Sequence, residues 1–369
     1  MSLKLLIVPD KFKGTLTASA AATAIAAGWR LARPRDALEL LPMSDGGDGF
    51  GEVMGRLLGA RFQKVKTVDA AHRPCAARWW WESESKTAVI ESANVVGLAM
   101  LPPGKFHPFE LDTFGLGAVM QAARDKGAKQ IVVGIGGSAT NDGGFGLARA
   151  LGWEFADKDG KLILRWTGLR ALARMQPPPL RRFPKVIVAV DVQNPLLGPR
   201  GATRVFGPQK GLQRGDFAPA ERCLRQLAGV AKERFGRDLA SRPGAGAAGG
   251  LGFGLLAFAG ARLEPGYALF ARQARLSRRL RSAGLVITGE GAIDQSTLMG
   301  KGVGQIARAC RELGVPCIGM AGAAPNLKKA DRLFTEVRTL TEVTTVGQGK
   351  ARPAIWLERL AAKVARECS

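Results

Sequence analysis

The stretch that decides the reading of this chain runs from Gly134 to Gly144, GIGGSATNDGG. The β-branched run Ile131-Val132-Val133 precedes it, and Phe145, Leu147, Ala148 and Leu151 follow at helical spacing. This order predicts a strand, a glycine-rich turn and a helix. Such a turn can aim backbone N–H groups and the Ser138 and Thr140 hydroxyls at an anion, with the helix N-terminus adding positive potential. Asn141 and Asp142 are placed to position a substrate or a magnesium ion beside that anion. A plain turn capped by Asp142 is the simpler alternative. So many polar groups among the glycines favour a phosphate-handling loop.

Composition sets the outer limits. A chain of 369 residues is long enough for two or three domains and a sizeable core. Its 46% hydrophobic and 23% charged residues are an ordinary globular balance, but the net charge of +23 is not. That charge favours anionic partners: phosphorylated or carboxylate small molecules, nucleic acid or a membrane surface. Much of it is arginine scattered over predicted helices, which reads as general surface character. Cys75, Cys223, Cys310, Cys317 and Cys368 contain no CxxC pair, and with only His72 and His107 beside them they form no zinc set or disulfide framework. The apolar run Leu5-Leu6-Ile7-Val8 is too short for a signal peptide. The uncharged run from Gly244 to Ala261, rich in glycine and alanine, falls short of a membrane span and reads as a buried loop and helix. A reduced, cytoplasmic protein is expected.

Outward from the central stretch the chain alternates strands and helices. Leu3 to Val8 reads as a buried strand ending in Pro9-Asp10-Lys11-Phe12-Lys13-Gly14, followed by an alanine-rich helix from Leu16 to Leu31. Leu38 to Leu41 reads as a second strand, closing on Ser44-Asp45-Gly46-Gly47-Asp48-Gly49. From about Lys64 the pattern shifts to short strands of antiparallel type, including the triple Trp79-Trp80-Trp81. Core and hairpin packing is the simpler account of those indoles, and a homodimer interface is the alternative. Val186 to Val190 is a strand leading into Asp191, Gln193, Asn194 and Pro195, and a basic glycine-bearing loop from Gly198 to Lys210 follows it. Strand and helix alternate again with Leu285-Val286-Ile287, which closes on Thr288-Gly289-Glu290-Gly291. Pro316 to Met320 and Glu336 to Leu340 complete the strand set.

The five flanking strands assemble most economically as one parallel α/β sheet of flavodoxin-like order 2-1-3-4-5. The discontinuous domain would hold residues 1–64 and 282–369, with 65–281 inserted as a second α/β domain. That order sets Asp10 and Lys13 beside Thr288, Gly289 and Glu290 at the carboxyl edge, where open sheets bind ligands. A cleft closed by the inserted domain would suit phosphoryl transfer, because closure excludes water.

The motifs PDKFKGTLTA, SDGGDG, GIGGSATNDGG, DVQNPLLGPRGA with VFGPQKG, PGAGAAGGLGFGLLAF and TGEGAIDQSTLMGK occur in one order between residue 4 and about residue 323. Together they resemble the bacterial type-two glycerate kinases. The resemblance implies phosphorylation of D-glycerate by ATP with magnesium, to 2-phosphoglycerate as the usual product. It also implies a flavodoxin-like domain carrying a restriction-endonuclease-like insert. Gln193 stands where the family motif DVDNP has aspartate, and Ala292 where TGEGR has arginine.

Glycerate phosphorylation needs carboxylate anchors, a base, cover for the ATP phosphates and a metal, with positioning and charge neutralisation doing most of the work. Lys13, Arg204, Lys210 and Lys301 are the loop cations. Gly136, Gly137, Ser138 and Thr140, with Thr288 and Gly289, are candidates for the phosphate cradle. Asp10, Gly46, Gly47, Asn141, Asp142, Asn194 and Glu290 complete the substrate- and phosphate-binding set. Asp191 is the expected base, Lys13 and Asp45 its catalytic companions, and Asp45 and Asp294 the expected magnesium ligands. A kinase of another small hydroxy acid is the nearest alternative. A nucleic-acid-binding protein ranks well below it, because the acidic loop residues would repel phosphodiester.

Overall fold

The computed structural model describes residues 2–12, 14–179, 183–298, 302–325 and 333–368. In chain order its strands are β1 (Lys4–Pro9), β2 (Ala37–Leu40), β3 (Arg61–Val68), β4 (Pro74–Glu82), β5 (Thr87–Glu91), β6 (Gln130–Gly134) and β7 (Glu154–Ala156). They continue with β8 (Arg174–Gln176), β9 (Lys185–Val190), β10 (Arg262–Pro265), β11 (Leu285–Ala292), β12 (Cys317–Ala323) and β13 (Glu336–Thr339). The chain divides into two compact units, Met1–Asp45 with Tyr267–Ser369, and Gly46–Gly266.

The discontinuous unit is built on a five-stranded sheet of order β13-β12-β11-β1-β2, parallel throughout. Both faces of β1 are covered, so its Leu5, Leu6, Ile7 and Val8 are all fully buried. A continuous apolar run, without alternation, is what a central parallel strand requires. The helix Ala18–Ala32 starts where the Thr17 hydroxyl accepts from the Ala20 N–H at 3.1 Å. Its alanines and Gly28 bring it hard against the helix Pro353–Glu367: a Cβ on Gly28 would lie 2.0 Å from the Glu358 carbonyl oxygen. Small residues there set the closeness of the helix pair.

The continuous unit carries a six-stranded sheet of order β10-β9-β6-β5-β4-β3. Its first four strands are parallel, and β4 and β3 add an antiparallel hairpin at one edge. The triple tryptophan alternates as a strand must. Trp79 is buried in the core, with Trp81 edge-on to it at a centroid distance of 6.3 Å, while Trp80 points to the other face. There Trp80 fills the surface of the helix Phe50–Leu57, where a Cβ on Gly51 or Gly55 would collide with the indole.

That contact moves a boundary. The helix Phe50–Leu57 and β3 belong with the continuous unit, so the first break falls after Asp45 rather than at residue 64. Phe50 reinforces the attachment, since its ring lies where a Cβ on Gly134 would sit. The second break falls before Tyr267 rather than at 282. Tyr267 is drawn to the discontinuous unit, where burial and the neighbouring Cys310 and Glu312 push its hydroxyl up to about 12. Among the described residues no helix is long and apolar enough to cross a membrane.

Candidate active site

In the discontinuous unit the acidic loops gather at the carboxyl ends of β1 and β11. These strands pair in parallel with Val8 opposite Thr288 and Pro9 opposite Gly289. Beyond the pairing, the Asp10 N–H donates to the Gly289 carbonyl at 2.8 Å, and the Met43 N–H donates to Pro9 at 2.9 Å. Asp10 therefore sits among carboxylates. Burial, then the charges of Asp45 and Glu290, push its carboxyl up to about 8, against the downward pull of the Lys11 N–H and ammonium. Asp294 and Glu290 share Thr297: its hydroxyl donates to Glu290 Oε1 at 2.6 Å, and its N–H donates to Asp294 Oδ1 at 3.4 Å.

Two members of the expected phosphate cradle in this unit serve the sheet. The Thr288 hydroxyl is buried and donates to the Val8 carbonyl at 2.7 Å. Gly289 lets β11 approach β12, since a Cβ there would lie 2.2 Å from the Met320 carbonyl oxygen. Lys13 and Lys301 lie outside the described residues.

In the continuous unit three loops converge at one sheet edge. β6 and β9 run parallel with Gly134 opposite Ala189, so the turns after both emerge together. The Gly136 N–H donates to the Gly46 carbonyl at 3.0 Å, and a Cβ on Gly136 would come within 2.6 Å of the Gly47 Cα. A Cβ on Gly46 would in turn meet the Ala189 carbonyl oxygen at 2.9 Å. Glycine is needed on both loops because their backbones touch. Glu91, at the end of β5, holds this arrangement by accepting from the Gly49 and Gly51 N–H groups at 2.8 and 2.9 Å. Asp191 stands at the exposed end of β9. Asn194 is engaged with the main chain: its amide donates to the Arg200 carbonyl at 2.7 Å, and its own carbonyl accepts from the Gly246 N–H at 2.9 Å.

Within the glycine-rich stretch the polar residues divide into frame and face. Asp142 belongs to the frame. Its carboxylate is fully buried and accepts from the Thr113 N–H and hydroxyl and from the N–H groups of Gly144 and Gly146. It thus ties the start of the helix Phe145–Ala150, whose N-cap is Gly144, to Thr113. Burial and then Asp112 push it up to about 6, while those same hydrogen bonds hold it down.

Lys210 is buried as well and donates to the Thr140 carbonyl at 2.5 Å. Burial pulls its ammonium down to about 7, and the charge of Asp142 opposes that shift. Ser138 and Thr140 hydrogen-bond each other at 3.0 Å, and Ser138 reaches the Ala248 carbonyl at 3.3 Å. Asn141 donates to the Thr203 hydroxyl at 3.1 Å, while its Oδ1 is buried with no hydrogen-bond partner. Arg204, the neighbour of Thr203, is exposed.

The residues that sequence reading passed over are Glu91, Thr113 and Thr203. Glu91 had a signal, a carboxylate closing the wholly buried strand TAVIE. Thr113 and Thr203 act through folds of the chain that spacing does not reveal.

A parallel-sheet edge with glycine backbones in contact and an aspartate at the end of β9 suits a phosphotransferase. A model of the glycerate kinase family matches residues 5–369. A curated glycerate kinase from Halalkalibacterium halodurans is 41% identical over 323 residues, covering 86% of this chain and 85% of that protein. The glycerate 2-kinase of Escherichia coli K12 is 36% identical over 325 residues, covering 87% and 85%. A solved structure described as glycerate kinase 2 from Salmonella typhimurium LT2 superposes with a TM-score of 0.81 at 31% identity, covering 100% of this chain and 98% of that one. The chain belongs to the glycerate kinase family and is a kinase.

Proposed function

We propose that this kinase transfers the γ-phosphoryl group of ATP to D-glycerate and forms 2-phosphoglycerate. The observation that carries the reading is the contact of the Gly136 backbone with Gly46 and Gly47, at an edge where parallel strands end and Asp191 follows β9. The close packing at Gly136 leaves no room for a side chain there, while the Asp48 carboxylate lies against Gly137, and N–H groups in such loops bind phosphate. Family membership supports glycerate phosphorylation; ATP as donor, the 2-position and a cytoplasmic location are the finer part of this proposal. The strand order β2-β1-β11-β12-β13 supports classing the discontinuous unit as flavodoxin-like. We class the continuous unit as restriction-endonuclease-like on the family resemblance.

Asp191 takes the proton of the reacting hydroxyl. It stands at the end of β9, whose Val186, Ile187, Val188, Ala189 and Val190 are all buried, so its backbone is rigidly held. A positioned base of this kind accelerates proton transfer by about 10²–10⁴. The loop from Gly136 to Thr140 cradles phosphate, while Asp142 and Lys210 hold that loop in shape. Arg204, exposed and cationic, meets the anionic groups of the substrates.

Among the described residues no group of three or more His, Cys, Asp or Glu side chains is arranged to hold a metal ion, but magnesium does not need one. The ion takes one or two carboxylates and completes its shell with water and phosphate oxygens. In the discontinuous unit burial first, and then the charges of Asp45 and Glu290, raise the Asp10 carboxyl, and the repulsive part is one that a cation would relieve. Asp45 and Asp294 would hold the ion, which supplies charge neutralisation to the transferred phosphoryl group when bound.

The experiment is a coupled assay of ATP consumption with D-glycerate, L-glycerate and other small hydroxy acids. Turnover confined to D-glycerate supports the proposal, and a stronger preference for a different hydroxy acid overturns it.

A further inference from the structure

Asn141 is fully buried and only half engaged. Its amide nitrogen donates to Thr203 Oγ1 at 3.1 Å, and its Oδ1 has no partner. An acceptor withdrawn from water and left unmatched loses its hydration without compensation. The flanking residues show that this is not slack in a loose loop. On one side Lys210 fixes the Thr140 carbonyl, and on the other Asp142 is tied by four hydrogen bonds to Thr113 and the following helix. The amide is held in place with one acceptor open, which is the form of a site completed by a ligand's donor.

The chemistry of that donor follows from the amide. An amide oxygen is not a base near neutral pH, so a hydroxyl bound to it keeps its proton and is not the group that attacks phosphorus. Lys210 lies one residue away in the same frame. Its ammonium has three donors, of which Thr140 takes one, so a carboxylate on the same small molecule has a cation to meet. Gly249 packs on this loop with no space for a side chain, since a Cβ would lie 1.8 Å from the Thr140 carbonyl oxygen. Ala248, Gly249 and Gly250 are all left-handed, with φ of 55°, 67° and 88°. Ala248 is the strained member of this cover. Oδ1 is closed from solvent, so a ligand reaches it through a local shift.

Resting on the glycerate kinase reading, we propose that Asn141 Oδ1 accepts a hydrogen bond from the spectator hydroxyl of the acid substrate, the one that is not phosphorylated. Asn141 thereby selects dihydroxy acids over monohydroxy acids. A site that hydrogen-bonds a hydroxyl rejects analogues lacking it far more strongly than an apolar pocket rejects a missing methylene.

The test compares D-glycerate with the monohydroxy acid that retains the reacting hydroxyl. That is D-lactate for phosphorylation at position 2 and 3-hydroxypropionate for position 3. For wild type, Asn141→Ala and Asn141→Asp, kcat/KM is measured for D-glycerate, together with kcat/KM or the competitive inhibition constant for the analogue. In Asn141→Ala the glycerate value should fall about 10- to 100-fold while the analogue shifts by less than about threefold. Asn141→Asp keeps an acceptor oxygen and should keep the wild-type preference. The ratio is independent of the fraction of enzyme that folds. Equal losses for both acids, or an unchanged ratio in Asn141→Ala, overturn the proposal even if wild type phosphorylates glycerate. Failure of wild type to use glycerate at all removes the underlying functional reading instead.

Discussion

Lys210 Nζ donates to the carbonyl oxygen of Thr140 at 2.5 Å, from a position closed to solvent and seventy residues along the chain. A cation that sequence reading takes for a substrate anchor is thus first a brace for the glycine-rich loop. Buried charge without a matching carboxylate in hydrogen-bond contact is unstable, which is why the ammonium is drawn down to about 7.

The brace should show itself in the pH dependence of stability. The folded-state value of about 7 lies below the ordinary 10.5, so between those limits the unfolded chain binds more protons than the native one. Stability contributed at this site therefore rises with pH across that window, with a slope approaching about 1.4 kcal/mol per pH unit. Lys210→Met removes the titration. The difference in unfolding free energy between wild type and Lys210→Met, from urea titrations at pH 6 to 10, should move in favour of wild type as pH rises. A difference that does not change with pH would contradict the assignment.

Asp191→Asn keeps the shape of the side chain and removes proton acceptance. It should lower kcat by about 10²–10⁴ and leave the KM for ATP close to wild type, since a base on the acceptor makes no contact with the nucleotide. Steady-state kinetics with each substrate varied in turn separate the two. A loss that falls on the KM for ATP instead would move Asp191 to the nucleotide.

Asp45→Asn weakens a carboxylate proposed to hold magnesium. The concentration of magnesium giving half-maximal rate should rise several-fold, and excess magnesium should restore part of the activity. A rate lowered equally at every magnesium concentration would mean that Asp45 acts on something other than the metal.

The division of the chain can be tested on fragments. A fragment of residues 46–266 retains the helix Phe50–Leu57 that covers Trp80, whereas a fragment of 65–281 leaves that indole bare. The first should unfold cooperatively in urea, and the second should aggregate or bind a hydrophobic dye. Equal behaviour of both fragments would show that the Trp80 contact does not decide the boundary.

Much of this arrangement is legible in the sequence, for identifiable reasons. Parallel strands buried on both faces announce themselves as uninterrupted apolar runs, and so LLIV, VIVAV and LVI mark β1, β9 and β11. The strand β10, RLEP, does not, because at the sheet edge only Glu264 is buried. The packing of Trp80 onto Gly51 and Gly55, which ties the helix Phe50–Leu57 to the continuous unit, is a contact across the fold that residue spacing does not reveal. In the site, glycine-bearing loops after strands are visible, but the partition of their polar groups is not. Asp142 and Asn141 are adjacent and equally polar. Only the fold shows that one is saturated by four donors and the other retains an open acceptor.

Phosphoryl transfer from ATP to D-glycerate can be read from the product itself. Purified protein is incubated with ATP, magnesium and D-glycerate labelled with carbon-13, and the product is read by phosphorus and carbon NMR. A single phosphomonoester whose phosphorus couples to carbon 1 as well as to carbons 2 and 3 is expected, with ADP formed in equal amount. Coupling to carbons 2 and 3 with none to carbon 1 would contradict the assigned position. ADP formation with no phosphorylated glycerate at all would contradict the function.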